Sequence, residues 1–239
     1  MIDEVTQRRI AALREYEIMD TPPEEEFDEI TRLTSFICGT PIALVTLLDH
    51  RRQWFKSKVG LSSMETPIEH AFCAHAIKQE GVMMVKDATL DARFAANPLV
   101  TAAPNIRFYA GAPLVTREGV SLGTLCAIDC APREFGVEKQ EALMALAHQV
   151  IRSMELRRTV KALELALLAK ERAQQEVLTL QSLLPMCAWC RKVRDDSNYW
   201  CKVEDYFSQH SQIRFSHGVC PECFDRLEQE LEGGAELRG

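Results

Sequence analysis

The chain reads as an α+β protein: a central antiparallel sheet with flanking helices, then a long coiled-coil-like helix and a small zinc-binding module. Three observations predict this. Strand-like segments come as neighbours joined by short polar turns, the pattern of hairpins rather than of parallel crossovers. From Val137 to about Leu184 neither Gly nor Pro interrupts the chain, and apolar residues recur at helical spacing. Of the nine cysteines, Cys187, Cys190, Cys201, Cys220 and Cys223 crowd together near the C-terminal end.

Each element follows in order. Residues 5–18 suit a short amphipathic helix with Val5, Ile10, Ala12, Leu13 and Tyr16 available to one face. Thr21-Pro22-Pro23-Glu24 reads as a helix start, with Thr21 as cap, Pro22 in the first helical position and Glu24 closing a capping box. That helix continues through Phe27, Ile30, Leu33 and Ile37; Gly39 closes it and Pro41 prevents its continuation. IALVTLL (42–48) is a buried strand by length, β-branching and flanking turn residues, and QWFKSKVG (53–60) alternates as its return strand. Residues 69–78 suit a short helix and 82–87 a strand. Segments 107–115 and 121–129 are strands around an Arg117-Glu118-Gly119 turn.

Beyond Val137 the apolar positions are Leu143, Leu146, Val150, Leu156, Val160, Leu163, Leu167, Val177, Leu180 and Leu184. The seam weakens at KERAQQE (170–176). This helix outruns any core that the first module offers. Its spacing of three and four predicts a parallel two-chain coiled coil, hence a homodimer, with a solvated linker helix as the alternative. Pro185 marks the end of the helix. The expected organisation is therefore a first domain over 1–155, a linker helix over 156–183, a Cys-rich module over 184–230 and a flexible tail over 231–239.

Composition narrows the function. The chain has 239 residues, a net charge of −7 and a pI near 5.5, which opposes nucleic-acid binding and docking on anionic lipid. The longest apolar run, 42–48, falls far short of the roughly 18 residues that suggest a membrane span. The N-terminus lacks a signal-peptide apolar core, so a cytoplasmic location is expected. Disulfides are rare there, which leaves metal binding or free-thiol chemistry for the cysteines.

RQWFKS (52–57), GLSSMETP (60–67), AFCAHAI (71–77), DATLDARFAANPLV (87–100), IRFYAGAPL (106–114) and LGTLCAID (122–129), in this order, resemble the GAF domain of bacterial signalling proteins. The resemblance spans about 8–158 and includes the ALREYEIMDTPPEEEFD lead-in. It implies a central antiparallel sheet, a pocket on one side, and a signalling partner: a kinase, a cyclase or a response regulator. In such a pocket Phe72, His75, Phe94, Phe108 and Tyr109 would form walls. Asp87, Asp91, Arg93 and Arg107 would orient a polar ligand of unknown identity. Turn capping and ion pairing are the competing roles for the charged residues. Cys73 and His75 stand two apart, and a helix would separate them by a wide angle, so a Cys–His nucleophile pair is not expected. Cys126 and Cys130 read as core cysteines. His148 reads as a helix-surface residue, since no ATP-binding segment follows it. No catalytic kinase, cyclase or phosphodiesterase domain is visible, which favours a non-enzymatic sensor. The rival readings are a thiol-based redox enzyme or sensor, and a dimeric scaffold with a degenerate pocket.

Cys187-Ala-Trp-Cys190 and Cys220-Pro-Glu-Cys223 together offer four thiolates to one tetrahedral zinc. His217 is the competing ligand, and Cys201 falls outside the set. Some fifty residues cannot bury a self-sustaining core, so a structural metal meets a stability need. WCKVEDYFSQH (200–210) suits a helix between the pairs, with Trp200, Val203 and Tyr206 or Phe207 on one side. The segment 183–227 resembles a Cys-rich tail found after GAF, PAS and receiver domains in bacterial sensors. Its six Lys or Arg against nine Asp or Glu over 184–232 again oppose nucleic-acid binding.

Overall fold

The computed structural model describes residues 3–181, 184–195, 197–212 and 214–233. It divides into two compact units, Met1–Leu167 and Leu168–Gly239.

In the first unit, α1 (Glu4–Tyr16) and α2 (Glu25–Cys38) precede the hairpin β1 (Ile42–Leu48) and β2 (Arg52–Val59). Short elements follow: β3 (Glu65–Pro67), α3 (Cys73–Ala76), β4 (Met83–Val85) and α4 (Pro98–Thr101). A second hairpin, β5 (Phe108–Val115) and β6 (Ser121–Asp129), leads into α5 (Val137–Gln181). The six strands form one antiparallel sheet in the order β3-β2-β1-β6-β5-β4.

Strand alternation sorts the side chains onto two faces. Val45, Leu47, Trp54, Phe108, Ala110 and Leu125 meet the helix layer, where Leu13, Phe27, Leu143, Val150 and Met154 complete the core. Leu44, Phe55, Tyr109, Cys126 and Ile128 face the other way, under Phe72, Phe94 and Val100 of the short helices and loops.

Local differences from the expected elements have physical causes. The helix expected over 69–78 is instead a 3₁₀ turn at Ile68–His70 and the single turn α3, because Ala71 is extended between them. That break aims Phe72, Cys73 and Ala76 at the sheet. β3 and α4 are too short to leave a period. The capping box at Thr21 does not form: α2 starts at Glu25, and Glu24 makes no side-chain cap bond. Lys56 claims those groups instead. Its ammonium, on a side chain with no exposure, reaches Thr21 Oγ1 (2.8 Å), the Pro22 carbonyl (2.7 Å) and Glu24 Oε1 (2.6 Å). A buried cation left without acceptors costs several kcal/mol, more than the ~1 kcal/mol a cap contributes.

Along α5, Leu143, Ala147, Val150 and Met154 are buried in the domain core. So Leu143 and Val150, expected in the coiled-coil seam, serve the domain instead. Leu156, Val160, Leu163 and Leu167 form a separate exposed stripe, with Leu156 at 65% and Leu163 at 69% exposure. It lies about 140° around the helix from the core face. Residues 182–183, at the end of the expected linker helix, lie outside the described residues.

In the second unit, β7 (Val193–Arg194) and β8 (Trp200–Cys201) form a small hairpin, followed by α6 (Val203–His210) and α7 (Pro221–Gly233). The helix expected from Trp200 thus begins at Val203. Residues 231–233 of the expected flexible tail belong to α7, and 234–239 lie outside the described residues. Among the described residues no helix is long and apolar enough to cross a membrane.

Candidate functional site

A cavity of about 100 Å³ opens on the sheet face opposite the helix layer. Leu44, Phe55, Phe72, Leu99, Ile106 and Ile128 give it an apolar lining, and Gln53, Thr66, Cys73 and Tyr109 supply polar groups. Gln53 is 5% exposed, and its Oε1 is buried with no hydrogen-bond partner. Such an acceptor costs about 1–3 kcal/mol unless a ligand or water satisfies it. A wider hollow of about 580 Å³ lies at the start of α1. Its buried cation, Arg9, is already engaged by the Leu48 carbonyl (3.0 Å) and Thr6 Oγ1 (3.1 Å).

Polar side chains converge on the sulfur of Cys73. Thr124 Oγ1 stands at 2.8 Å, Tyr109 Oη at 3.3 Å and Thr46 Oγ1 at 3.4 Å. β1, β5 and β6 position the three hydroxyls, and α3 lowers the thiol onto them. Gly111 permits the arrangement, because a Cβ there would stand 2.1 Å from Tyr109 Oη. Burial alone pushes the Cys73 thiol up, but hydrogen bonds from Cys126, Thr124, Thr46 and Tyr109 outweigh it and bring it down to about 7. Burial first, then the neighbouring Cys73, pushes Cys126 and Tyr109 well up, so both stay protonated donors.

The residues expected to form the pocket are not all at the cavity. Phe72 and Tyr109 line it. Phe94 stacks on Phe72 with ring centroids 4.0 Å apart, and His75 meets Phe94 edge-on at 5.0 Å. Burial, then Lys78 and Arg93, holds the His75 imidazole below its usual range. Asp91 pairs with Arg93 at 2.6 Å, which holds the carboxyl low, and Arg93 covers the Phe94 ring. Asp87 accepts from the Thr89 amide and hydroxyl, and Arg107 donates to the carbonyls of Val100 and Ile106. These bonds shape the loops over the cavity. Phe108 lies on the opposite face, against Phe135 in the helix-side core, because it alternates with Tyr109. Gln53 and Thr124 were not anticipated; a lone Gln or Thr in a strand carries no period of its own.

Strand β2 ties this face to the long helix. Gln53 and Phe55 line the cavity, while Lys56 on the same strand holds Glu24 at the start of α2. Arg157 Nε of α5 reaches both oxygens of Glu24 at 3.1 Å, and its Nη1 donates to the Tyr16 carbonyl at 3.0 Å. Tyr16 Oη donates to Glu155 at 2.6 Å. His148 is exposed on the same helix.

In the second unit each C-x-x-C is a local turn. The Cys190 amide points at Cys187 Sγ (3.5 Å), and Cys220 immediately precedes α7, its carbonyl accepting from the Cys223 amide at 3.0 Å. Backbone amides, chiefly of Cys190 and Cys223, hold the Cys187 and Cys220 thiols below the ordinary range. Cys201 is half-buried with its Sγ 3.8 Å from the Val193 carbonyl, and His217 is exposed. Among the described residues no three His, Cys, Asp or Glu side chains stand together as a metal site.

The family model of the GAF domain matches residues 22–154, more than half of the chain. The chain belongs to the GAF family. Among curated proteins, this GAF chain is similar to a cyclic di-GMP phosphodiesterase of Pseudomonas aeruginosa, 48% identical over 127 residues. That match covers 53% of the chain but only 22% of the relative, so the chain spans about a fifth of that protein's length. Among solved structures, the GAF domain of a phosphoenolpyruvate-protein phosphotransferase from Coxiella burnetii has a TM-score of 0.50 at 16% identity. It covers 66% of this chain and 98% of that one. The corresponding domain from Acinetobacter scores 0.49, also at 16% identity, with 66% and 98% covered.

Proposed function

We propose that this protein is a non-enzymatic bacterial sensor whose GAF cavity takes a small molecule and whose long helix relays the change to a zinc-bearing tip. One observation carries the ligand reading: Gln53 Oε1 is buried, without a partner, in an apolar-lined cavity. The volume limits the ligand, since sites for drug-sized molecules enclose roughly 300 Å³ or more. A signalling role is supported by the GAF membership and by the name of the phosphodiesterase relative. The partner would be a kinase, a cyclase or a response regulator, and neither nucleic acid nor membrane is expected. Phe72 and Tyr109 would touch the ligand; Phe94, His75, Asp87, Asp91, Arg93 and Arg107 would hold the loops that cover it. Native mass spectrometry of the protein isolated from cells should show a small retained mass. Leu99→Trp, which fills the cavity from its α4 edge, should remove that mass without lowering the melting temperature by more than a few degrees. A mass retained in the Leu99→Trp protein would place the ligand elsewhere.

Relay requires that the ligand bind two states of the protein differently. The Lys56–Glu24–Arg157 chain is the bridge by which displacement of β2 would reach α5. The exposed stripe of Leu156, Val160, Leu163 and Leu167 would pair with a second copy as a parallel coiled coil. Leu156→Glu with Leu163→Glu places charge in that seam. The double variant should sediment as a monomer where the parent is a dimer at about 10 μM, a concentration suited to self-association of roughly −7 to −8 kcal/mol. A parent that sediments as a monomer there would end the dimer reading.

The four cysteines Cys187, Cys190, Cys220 and Cys223 would hold the zinc, with His217 as the alternative to one of them. The support is the chemistry of the donor set and the poverty of the tip's core, where Val193 alone is buried among the described residues.

A further inference from the structure

The cavity has a chemical feature that ligand binding alone does not use. A fully buried nucleophile lines it, beside a second thiol and beneath three hydroxyls. We propose that Cys73 is a hydroperoxide-reactive thiol, that the cavity admits the hydroperoxide, and that Cys126 resolves the oxidised sulfur. This deepens the reading of the cavity as the ligand site and rests on it.

The lining selects this class of ligand. An apolar wall in about 100 Å³ suits a few heavy atoms. Gln53 Oε1 needs a donor, and the O–H of a hydroperoxide supplies one. An aldehyde or an enone of the same size has none. The electrophilic oxygen then faces a sulfur already supported as an anion by Thr124, Thr46 and Tyr109. Cys73 titrating near 7 makes a large fraction of thiolate available at neutral pH.

The electrons balance in two steps. The Cys73 thiolate attacks one peroxide oxygen, an S–O bond forms, the O–O bond breaks, and hydroxide or alkoxide leaves with a proton as water or alcohol. Sulfur is oxidised by two electrons and the peroxide is reduced by two. Cys126 shares the buried cluster with Cys73, its thiol donating to the Leu44 carbonyl at 3.7 Å. Its sulfur then attacks that of the sulfenic acid, the S–S bond forms, and the S–O bond breaks. The departing hydroxide takes the Cys126 proton as water. An external dithiol restores the pair by exchange. The disulfide would join α3 to β6 under the cavity, closing the site to a ligand while it lasts.

The test is site-resolved mass spectrometry of the 239-residue chain as purified, after exposure to hydrogen peroxide or to tert-butyl hydroperoxide. A Cys73–Cys126 linked peptide is expected, and the more reactive of the two oxidants identifies the source the cavity favours. Cys126→Ser should stop at a dione-trappable sulfenic acid on Cys73; Cys73→Ser should leave Cys126 reduced. The rate should rise with pH through about 7 and then level. Thr124→Val, nearly isosteric, should slow it about tenfold near neutral pH, the size of one hydrogen bond to a charged group. Should Cys73 stay reduced under a dose of either oxidant that converts Cys130, which lies exposed just past the end of β6 and not in the core as expected, the inference is wrong. If the retained mass of the parent protein persists in that case, the ligand reading stands without it.

Discussion

Gly123→Ala should lower stability by about 3 kcal/mol, the upper end for an overpacked core, and the melting temperature by about 6–12 °C. Gly123 sits opposite Leu47 where the central strands β1 and β6 pair. A Cβ there would stand 1.8 Å from the Thr46 carbonyl oxygen and 2.7 Å from its carbon. Both are backbone atoms of a strand held on its other edge by β2, so no side-chain rotation relieves the clash. The strands must separate, and Thr46 moves away from Cys73. Gly136→Ala is the control, because a Cβ there meets nothing within 4 Å. Calorimetry that finds the two variants equally stable would refute the close approach of β1 and β6.

Much of this fold is legible in residue order, and the reasons show where legibility ends. β2 is long enough to alternate, β1 is read from its length, β-branching and flanking turns, β5 and β6 from the turn between them, and α2 and α5 are long enough for a helical period. Elements of three or four residues, such as β3, α3 and α4, cannot show a period. Local pattern also misplaces groups whose partners are distant. Lys56 reads as a solvent-facing residue of an alternating strand, yet it is buried because Glu24, 32 positions earlier, meets it. Phe108 and Tyr109 are both plausible pocket walls in the sequence; only the direction of the first strand residue decides which one faces the cavity. The Cys73 cluster is the least legible part. Thr46 and Thr124 are 78 positions apart, and Cys73 comes from a third element between them. Each looks like an ordinary core residue, and their convergence is a property of the sheet order alone.

Removal of the proposed zinc should unfold the tip and leave the GAF sheet intact. The energetics of the second unit argue for this. Ordering a residue's backbone costs about 1–2 kcal/mol. Against that, Val193 is the one buried side chain among the described residues of 184–231, contributing about 1.5–3 kcal/mol. Trp189 is 95% exposed, and Tyr199, Val219 and Phe224 are exposed as well. A hairpin of two-residue strands and two short helices cannot hold together on that core. Structural zinc would supply about 10–16 kcal/mol of apparent binding free energy at neutral pH, several times what that one side chain contributes. One zinc per chain is therefore expected by elemental analysis, with no open coordination position for catalysis. Chelation should abolish the ellipticity of α6 and α7, expose the tip to trypsin, and leave the main calorimetric transition of the GAF domain in place. Cys220→Ser should reproduce that loss. Cys201→Ser should not, since its sulfur lies against the Val193 carbonyl in the hairpin. His217→Ala separates the two ligand sets: loss of metal there, with retention in Cys220→Ser, would mean that a histidine replaces that cysteine. Protein grown with ample zinc that carries less than about a tenth of an equivalent of any metal would rule the site out, because sites of this strength stay filled. The cysteines at 187, 190, 220 and 223 would then stand as two redox-active pairs, and their disulfides rather than a metal would have to supply the missing stability.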